Sequence, residues 1–227
     1  MPERTKLWYL RGINLFQGMD DKSMKVMNTN SRMISNKKKE IIYFPEEPSN
    51  TIYILKEGKI KISRLSEDGR ETTLDLLGPG EIFGESAILG QETHGNTAVV
   101  VEDAMICAIN KDMFKELMEM SPQLNISISK FIGFRLRRIE SHIEDLVFKN
   151  AEERIIAFLK RYTKNFGKEL VDRNTVRPFL THQEIADLTA TARQTVNTVL
   201  NQLANDGTIK YSRRFFNVLD KSWLSNS

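Results

Sequence analysis

The stretch Leu180 to Gly207, LTHQEIADLTATARQTVNTVLNQLANDG, constrains this chain more than any other. It sets two short segments of helical periodicity on either side of a tight turn, the pattern of two helices meeting at a corner. Ile185, Ala186 and Leu188 face inward on the first, and Ala186 is small where the second helix must cross closely. On the second, Val196, Val199, Leu200 and Leu203 repeat at helical spacing and leave Arg193, Gln194, Asn197 and Thr198 on the opposite face. Arg matches the two acceptors of guanine, Gln and Asn pair with adenine, and Thr offers a hydroxyl and a methyl for thymine. The segment therefore predicts a helix-turn-helix whose second helix reads DNA. An ordinary helical hairpin with a solvated polar face has the same periodicity, so the neighbouring residues must decide.

They favour DNA. Ile209, Lys210 and Tyr211 lead into Ser212, Arg213 and Arg214, and the apolar run Phe215 to Leu219 follows, which predicts a short hairpin with basic residues near its tip. A helix-turn-helix followed by such a hairpin is a winged helix. Lys210, Arg213 and Arg214 are then placed to meet phosphates and fix the register of the reading helix.

The 227 residues suffice for two domains, and the net charge of +3 permits nucleic-acid binding without requiring it. No run of about 18 apolar residues is present, and MPERTKLWYL does not read as a secretory signal. A cytoplasmic protein with no membrane contact is expected. The single cysteine, Cys107, excludes a disulfide framework and a four-cysteine cluster or zinc finger within one subunit. It falls in an apolar strand, where a small buried thiol is expected. No nucleophile–base pair, clustered metal ligands or phosphate-binding loop stands out, so no enzyme activity and no cofactor are expected.

Between Ile34 and Ile109 short alternating runs are separated by turn residues: Ile41 to Phe44, Thr51 to Leu55, Lys59 to Leu65, Thr72 to Leu76, Thr97 to Val101 and Met105 to Ile109. Glu57-Gly58 and Glu67-Asp68-Gly69 supply turns, and the whole reads as an all-β barrel or sandwich. From Pro122 the period becomes helical. Ile128, Ile132, Leu136, Ile139, Ile143 and Leu146 form a seam close to a heptad on a helix of about 25 residues, which suits a two-stranded coiled coil. Packing against the chain's own barrel is the competing use of such residues. Asn150 to Glu153 reads as a hinge. The expected organisation is an α+β chain with a β-rich domain over 1–121, a dimerisation helix over 122–149 and a winged helix-turn-helix over 150–227.

GEIFGESAIL at Gly80 to Leu89, the long helix, and TARQTVNTVL in the C-terminal segment together resemble the cyclic AMP receptor protein and fumarate–nitrate regulator family of bacterial transcription factors. The resemblance runs from about Leu15 to Leu219. It implies a cyclic-nucleotide-binding-type β-roll, a homodimer on palindromic double-stranded promoter DNA, and contact with RNA polymerase, usually in activation. It also makes Arg193 a guanine reader and Thr195 a phosphate contact, with Thr191 just ahead of them. Gln194 stands in place of a base-reading glutamate and Thr198 in place of a base-reading arginine, so a different operator is expected.

In members that bind cyclic AMP, the resemblance places the effector at a cassette matched here by Gly84, Glu85, Ser86 and Ala87. The rest departs from the pattern. Asn96 and Thr97 occupy the place of an Arg-Ser or Arg-Thr pair that holds the phosphate, and an amide carries no charge to pair with it. Ile139 and Glu140 occupy the place of a Thr-Ser pair that reaches the adenine. Cyclic AMP is therefore disfavoured as the natural signal, and a regulator competent without ligand is expected. His94 reads either as a cation replacing the missing arginine or as a solvent-exposed loop histidine.

Overall fold

The computed structural model describes residues 6–11, 13–167, 174–177 and 179–225. The chain forms two compact units: one comprises residues up to Arg138 except Thr72–Leu74, and the other comprises Thr72–Leu74 and the residues from Ile139.

The first unit opens with helices α1 (Lys6–Arg11) and α2 (Asp21–Asn30), the latter capped by Asp20, whose carboxylate accepts the Ser23 N–H. Strands β1 (Ser31–Asn36), β2 (Ile41–Tyr43), β3 (Thr51–Leu65), β4 (Glu71–Leu77), β5 (Ile82–Phe83) and β6 (Thr97–Asn110) follow. The sheet order is β1-β6-β3-β4, with β2 on β6 and β5 on β3. Two expected strand pairs are each one long strand. Thr51 to Leu55 and Lys59 to Leu65 merge into β3, while Thr97 to Val101 and Met105 to Ile109 merge into β6. Glu57-Gly58 is a bulge and not a turn. The register slips there against β6 while pairing continues on both sides, so a bulge bends the strand without ending it. Ser66 to Arg70, by contrast, closes a true hairpin.

The bent sheet encloses one apolar cluster that includes Tyr43, Leu55, Ile60, Leu77, Phe83 and Val100. A second cluster joins the sheet to the helices and includes Leu10, Met27, Ile54, Cys107, Phe114 and Leu124. Cys107 is fully buried between Met33 of β1 and Ile54 of β3, and burial pushes its thiol pKa up. Helix α3 (Lys111–Met120) starts at the Asn110 cap. Helix α4 (Pro122–Phe148) starts at Ser121, whose hydroxyl accepts the Leu124 N–H at 3.3 Å, with Pro122 at the first helical position, where its missing N–H costs nothing.

Ile128 departs from the expected seam. It is buried in the second apolar cluster of its own unit with Leu124, whereas Ile132, Leu136, Ile139, Ile143 and Leu146 are exposed. A straight α-helix drifts by about 20° per heptad relative to a 3.5-residue repeat, so the first position of the seam has turned onto the face that meets the roll.

In the second unit α5 (Ala151–Phe166) begins directly after a two-residue link, Lys149-Asn150. Residues 151–153, expected to be part of a hinge, are the first turn of α5. Asn150 accepts the Glu153 N–H and Glu153 accepts the Asn150 N–H, a capping box that satisfies both donors. Strand β7 (Thr175–Val176), helices α6 (His182–Thr189) and α7 (Arg193–Asn205), strands β8 (Ile209–Ser212) and β9 (Phe215–Val218), and α8 (Lys221–Ser225) complete the unit. Its three-stranded sheet runs β7-β9-β8. Ile155, Leu159, Ile185, Val196, Leu200 and Phe216 are all fully buried in its core.

Candidate nucleic-acid interface and effector pocket

Helix α6 is held at its start by a second capping box, Thr181 with Glu184, and ends at Ala190 in a left-handed conformation. The chain turns through Thr191 and Ala192 into α7. Ala186 is buried under the crossing, and Val196, Val199, Leu200 and Leu203 form the buried stripe of α7. The opposite face presents Arg193, Gln194, Asn197 and Thr198 to solvent, while Thr195 is half-buried. The Thr198 hydroxyl donates to its own helix at Gln194 O, 3.1 Å away, and the residue is exposed. Thr191 shares a hydrogen bond with Thr189 at 2.9 Å, so its hydroxyl is positioned by the corner itself. No side chain caps the N-terminus of α7, unlike α5 and α6. That end leaves N–H groups and the positive pole of the helix facing out beside Arg193.

The wing is the β8–β9 hairpin, in which Ser212 pairs with Phe215 across the turn residues Arg213 and Arg214. Lys210, Arg213 and Arg214 are all exposed. Two neighbours escaped the sequence reading. Tyr211 on β8 donates its hydroxyl to Asn201 of α7 at 3.0 Å, tying wing to helix. His182, at the start of α6, has its pKa lowered by burial and by the charge of Arg193. Neither stands out in the sequence, because only the fold brings Tyr211 to Asn201 and His182 to Arg193.

In the first unit, Gly84 precedes a short 3-10 turn over Glu85–Ala87 and has φ +73°. A Cβ there would lie 2.7 Å from Thr51 O, so glycine is required on both counts. Ser86 donates its hydroxyl to His94 O at 3.2 Å, which joins this turn to the loop ahead of β6. Ala87 is buried, and Thr97 opens β6 opposite Ser63. The Asn96 side-chain oxygen is buried without a hydrogen-bond partner. His94 is neither exposed nor cationic. It is 4% exposed, stacks on Tyr43, and has its pKa lowered chiefly by burial. The loop folds inward because Gly95 and His94 donate main-chain bonds to Pro45 and Glu47.

Glu85 is already engaged: Arg135 of α4 approaches it at 3.0 Å. One turn on, Arg138 bridges Asp75 at 2.8 Å and Glu81 at 2.9 Å. Burial nevertheless raises the pKa of Glu81, outweighing Arg138. The Arg135 and Arg138 spacing is legible as one face of a helix, but their carboxylate partners come from separate strands and turns. Ile139 and Glu140, the next residues on α4, are exposed. Burial holds the His94 pKa down and Asn96 is uncharged, so neither supplies the positive charge that an arginine at this place would bring to an anionic phosphate. Among the described residues no three His, Cys, Asp or Glu side chains gather as a metal site, and no helix is long and apolar enough to cross a membrane.

Comparison with known proteins agrees with both units. A family described as cyclic nucleotide-binding domain matches residues 34–121, and one described as Crp-like helix-turn-helix domain matches residues 153–226. The chain is 26% identical over 211 residues to a CRP-like cAMP-activated global transcriptional regulator of Mycobacterium tuberculosis, covering 93% of this chain and 94% of that one. It is 31% identical over 170 residues to the cyclic AMP receptor protein of Thermus thermophilus, covering 74% and 75%. A solved CRP-family transcriptional regulator from Thermus thermophilus superposes with a TM-score of 0.70 at 28% identity, covering 85% of this chain and 94% of that one. With a cyclic-nucleotide-binding-type roll, a long helix and a Crp-like helix-turn-helix in that order, the chain belongs to the cyclic AMP receptor protein/fumarate–nitrate regulator family of transcription regulators.

Proposed function

We propose that this regulator is a homodimer that binds a palindromic promoter site in the absence of a cyclic nucleotide and activates transcription through contact with RNA polymerase. The observation that carries the DNA reading is the outer face of α7, where Arg193, Gln194, Asn197 and Thr198 are exposed beside an uncapped helix N-terminus. Arg193 reads guanine, and Gln194, Asn197 and Thr198 read neighbouring base edges. Thr191, Thr195, Lys210, Arg213 and Arg214 contact phosphates and set the register. The exposed stripe of Ile132, Leu136, Ile139, Ile143 and Leu146 supports self-association along α4. Two-fold pairing would then present two α7 helices to half-sites about one DNA turn apart.

Ligand independence draws support from the effector pocket. Asn96 brings no charge, and His94 fills space against Tyr43. One alternative has an observation behind it. The Mycobacterium tuberculosis relative is described as cAMP-activated, and the Gly84 to Ala87 turn is intact here. Fluorescence anisotropy with DNA from the protein's own upstream region, at fixed salt, with and without cyclic AMP, separates the two. Tight specific binding unchanged by the nucleotide is the expected result. Binding that appears only with cyclic AMP overturns it.

A further inference from the structure

Arg154, in the first turn of α5, holds its guanidinium against the ends of two other helices. Nε donates to Thr189 O at 2.9 Å and Nη2 to Ala190 O at 3.0 Å, at the corner between α6 and α7. Nη1 donates to Lys149 O at 2.9 Å, just past the end of α4. Helix C-termini carry carbonyls without intrahelical partners and about half a negative charge each, so one cation here meets two such poles. The corner it grips is unusual. Ala190 has φ 49° and ψ 50°, a left-handed conformation that residues with a Cβ adopt reluctantly, and Arg193 begins α7 three residues later. Asp145, buried in the last turn of α4, braces the same junction through Lys149 at 2.7 Å and through Arg161 of α5. The segment that reads in sequence as a hinge is thus tied from both sides.

We propose that Arg154 is a positioning residue for DNA reading: it fixes the α6–α7 corner, and through it the start of α7, with respect to the end of α4. This rests on the reading of α7 as the DNA-reading helix and α4 as the dimer helix. In a two-fold dimer the separation of the two α7 helices depends on how firmly each is held to its own α4. A loosened corner tolerates wrong half-site spacings and binds the right one less well. Lysine is no substitute, because a compact ammonium cannot span three carbonyls as the planar fork does.

The test uses the full-length protein and an operator recovered by selection from random duplexes. Affinities of wild type, Arg154→Gln, Arg154→Lys and Arg193→Ala are measured at fixed salt on that operator and on versions with one base pair added or removed between half-sites. An unrelated duplex at low salt reports non-specific binding, and thermal melts report folding. Arg154→Gln is expected to bind the operator about tenfold or more weakly with a flattened spacing profile and unchanged non-specific binding. Arg193→Ala is expected to weaken all spacings together. If Arg154→Gln does not melt cooperatively, Arg154→Lys carries the test, with the same flattening expected. A wild-type spacing profile in the folded Arg154 variant overturns the proposal. So does a loss of specific and non-specific binding in equal measure, the mark of a merely structural role. Failure of the wild type to prefer any duplex overturns the DNA reading itself, and Arg193→Ala then has no effect either.

Discussion

Tyr43 and His94 lie face to face, with ring centroids 3.7 Å apart and planes 12° from parallel. The imidazole Nδ1 is buried without a hydrogen-bond partner, so a proton added there finds no acceptor. Burial lowers the His94 pKa from its ordinary 6.5, and Glu47 and Glu85 only partly oppose that. The unfolded chain therefore takes up a proton before the folded one does. Stability from this group is full above 6.5 and is lost as the pH falls from there through the lowered folded value. His182 is shifted in the same direction, so the His94→Gln variant is needed to isolate the effect. Its melting temperature should fall less steeply than that of the wild type between neutral and mildly acidic pH.

Asp145 tests the opposite sign. Burial pushes its carboxyl pKa up, but hydrogen bonds from Lys149 and Arg161 outweigh that and hold it below 3.8. Its contribution is present above 3.8 and lost as the pH falls through the lowered value. Asp145→Asn should destabilise the protein by about 1–3 kcal/mol at neutral pH, because two charge-assisted bonds are lost while the cations stay. Denaturant titrations at neutral pH and at pH about 3 should show the gap between variant and wild type narrowing in acid.

Two isoleucines on α4 should behave differently although both belong to the same apolar repeat. Ile128→Ala opens space in the packed core of the first unit and should cost about 2–5 kcal/mol of stability without changing the oligomeric state. Ile139→Glu places a charge on the exposed stripe and should shift sedimentation toward the monomer while the fold persists. A stable Ile139→Glu dimer would remove α4 as the self-association surface.

Arg193→Ala should weaken operator binding by about 1–3 kcal/mol per half-site, relax preference at one base position, and leave the dimer intact. Footprinting and sedimentation of the same preparation measure both.

The parts of this fold that were legible in sequence are those that a local period determines. The stripes of α6 and α7 and the length of α4 follow from helical spacing, and the wing follows from a short basic turn between apolar runs. The merging of strands at Gly58 was not legible, because a glycine after a glutamate reads equally well as a turn or a bulge until the partner strand is seen. Ile128 misled because a heptad seam and a roll-facing stripe occupy adjacent faces of one helix. Arg135 with Glu85, Arg138 with Glu81, and His94 with Tyr43 are contacts between residues remote in sequence, and no spacing announces them. Arg154 escaped for a different reason: its partners are main-chain oxygens, which every residue has.

Cys107 is the only thiol in the chain and pairs on both sides within the sheet, with Met33 of β1 and Ile54 of β3. A sulfur so enclosed reacts with a thiol reagent only when neighbouring strands part, so its labelling rate in native buffer is a clock for opening of the roll. The same silence makes the surface addressable. A cysteine introduced at Ser212 on the wing would take a fluorophore alone, and its signal would report that wing meeting DNA with no background from the rest of the molecule.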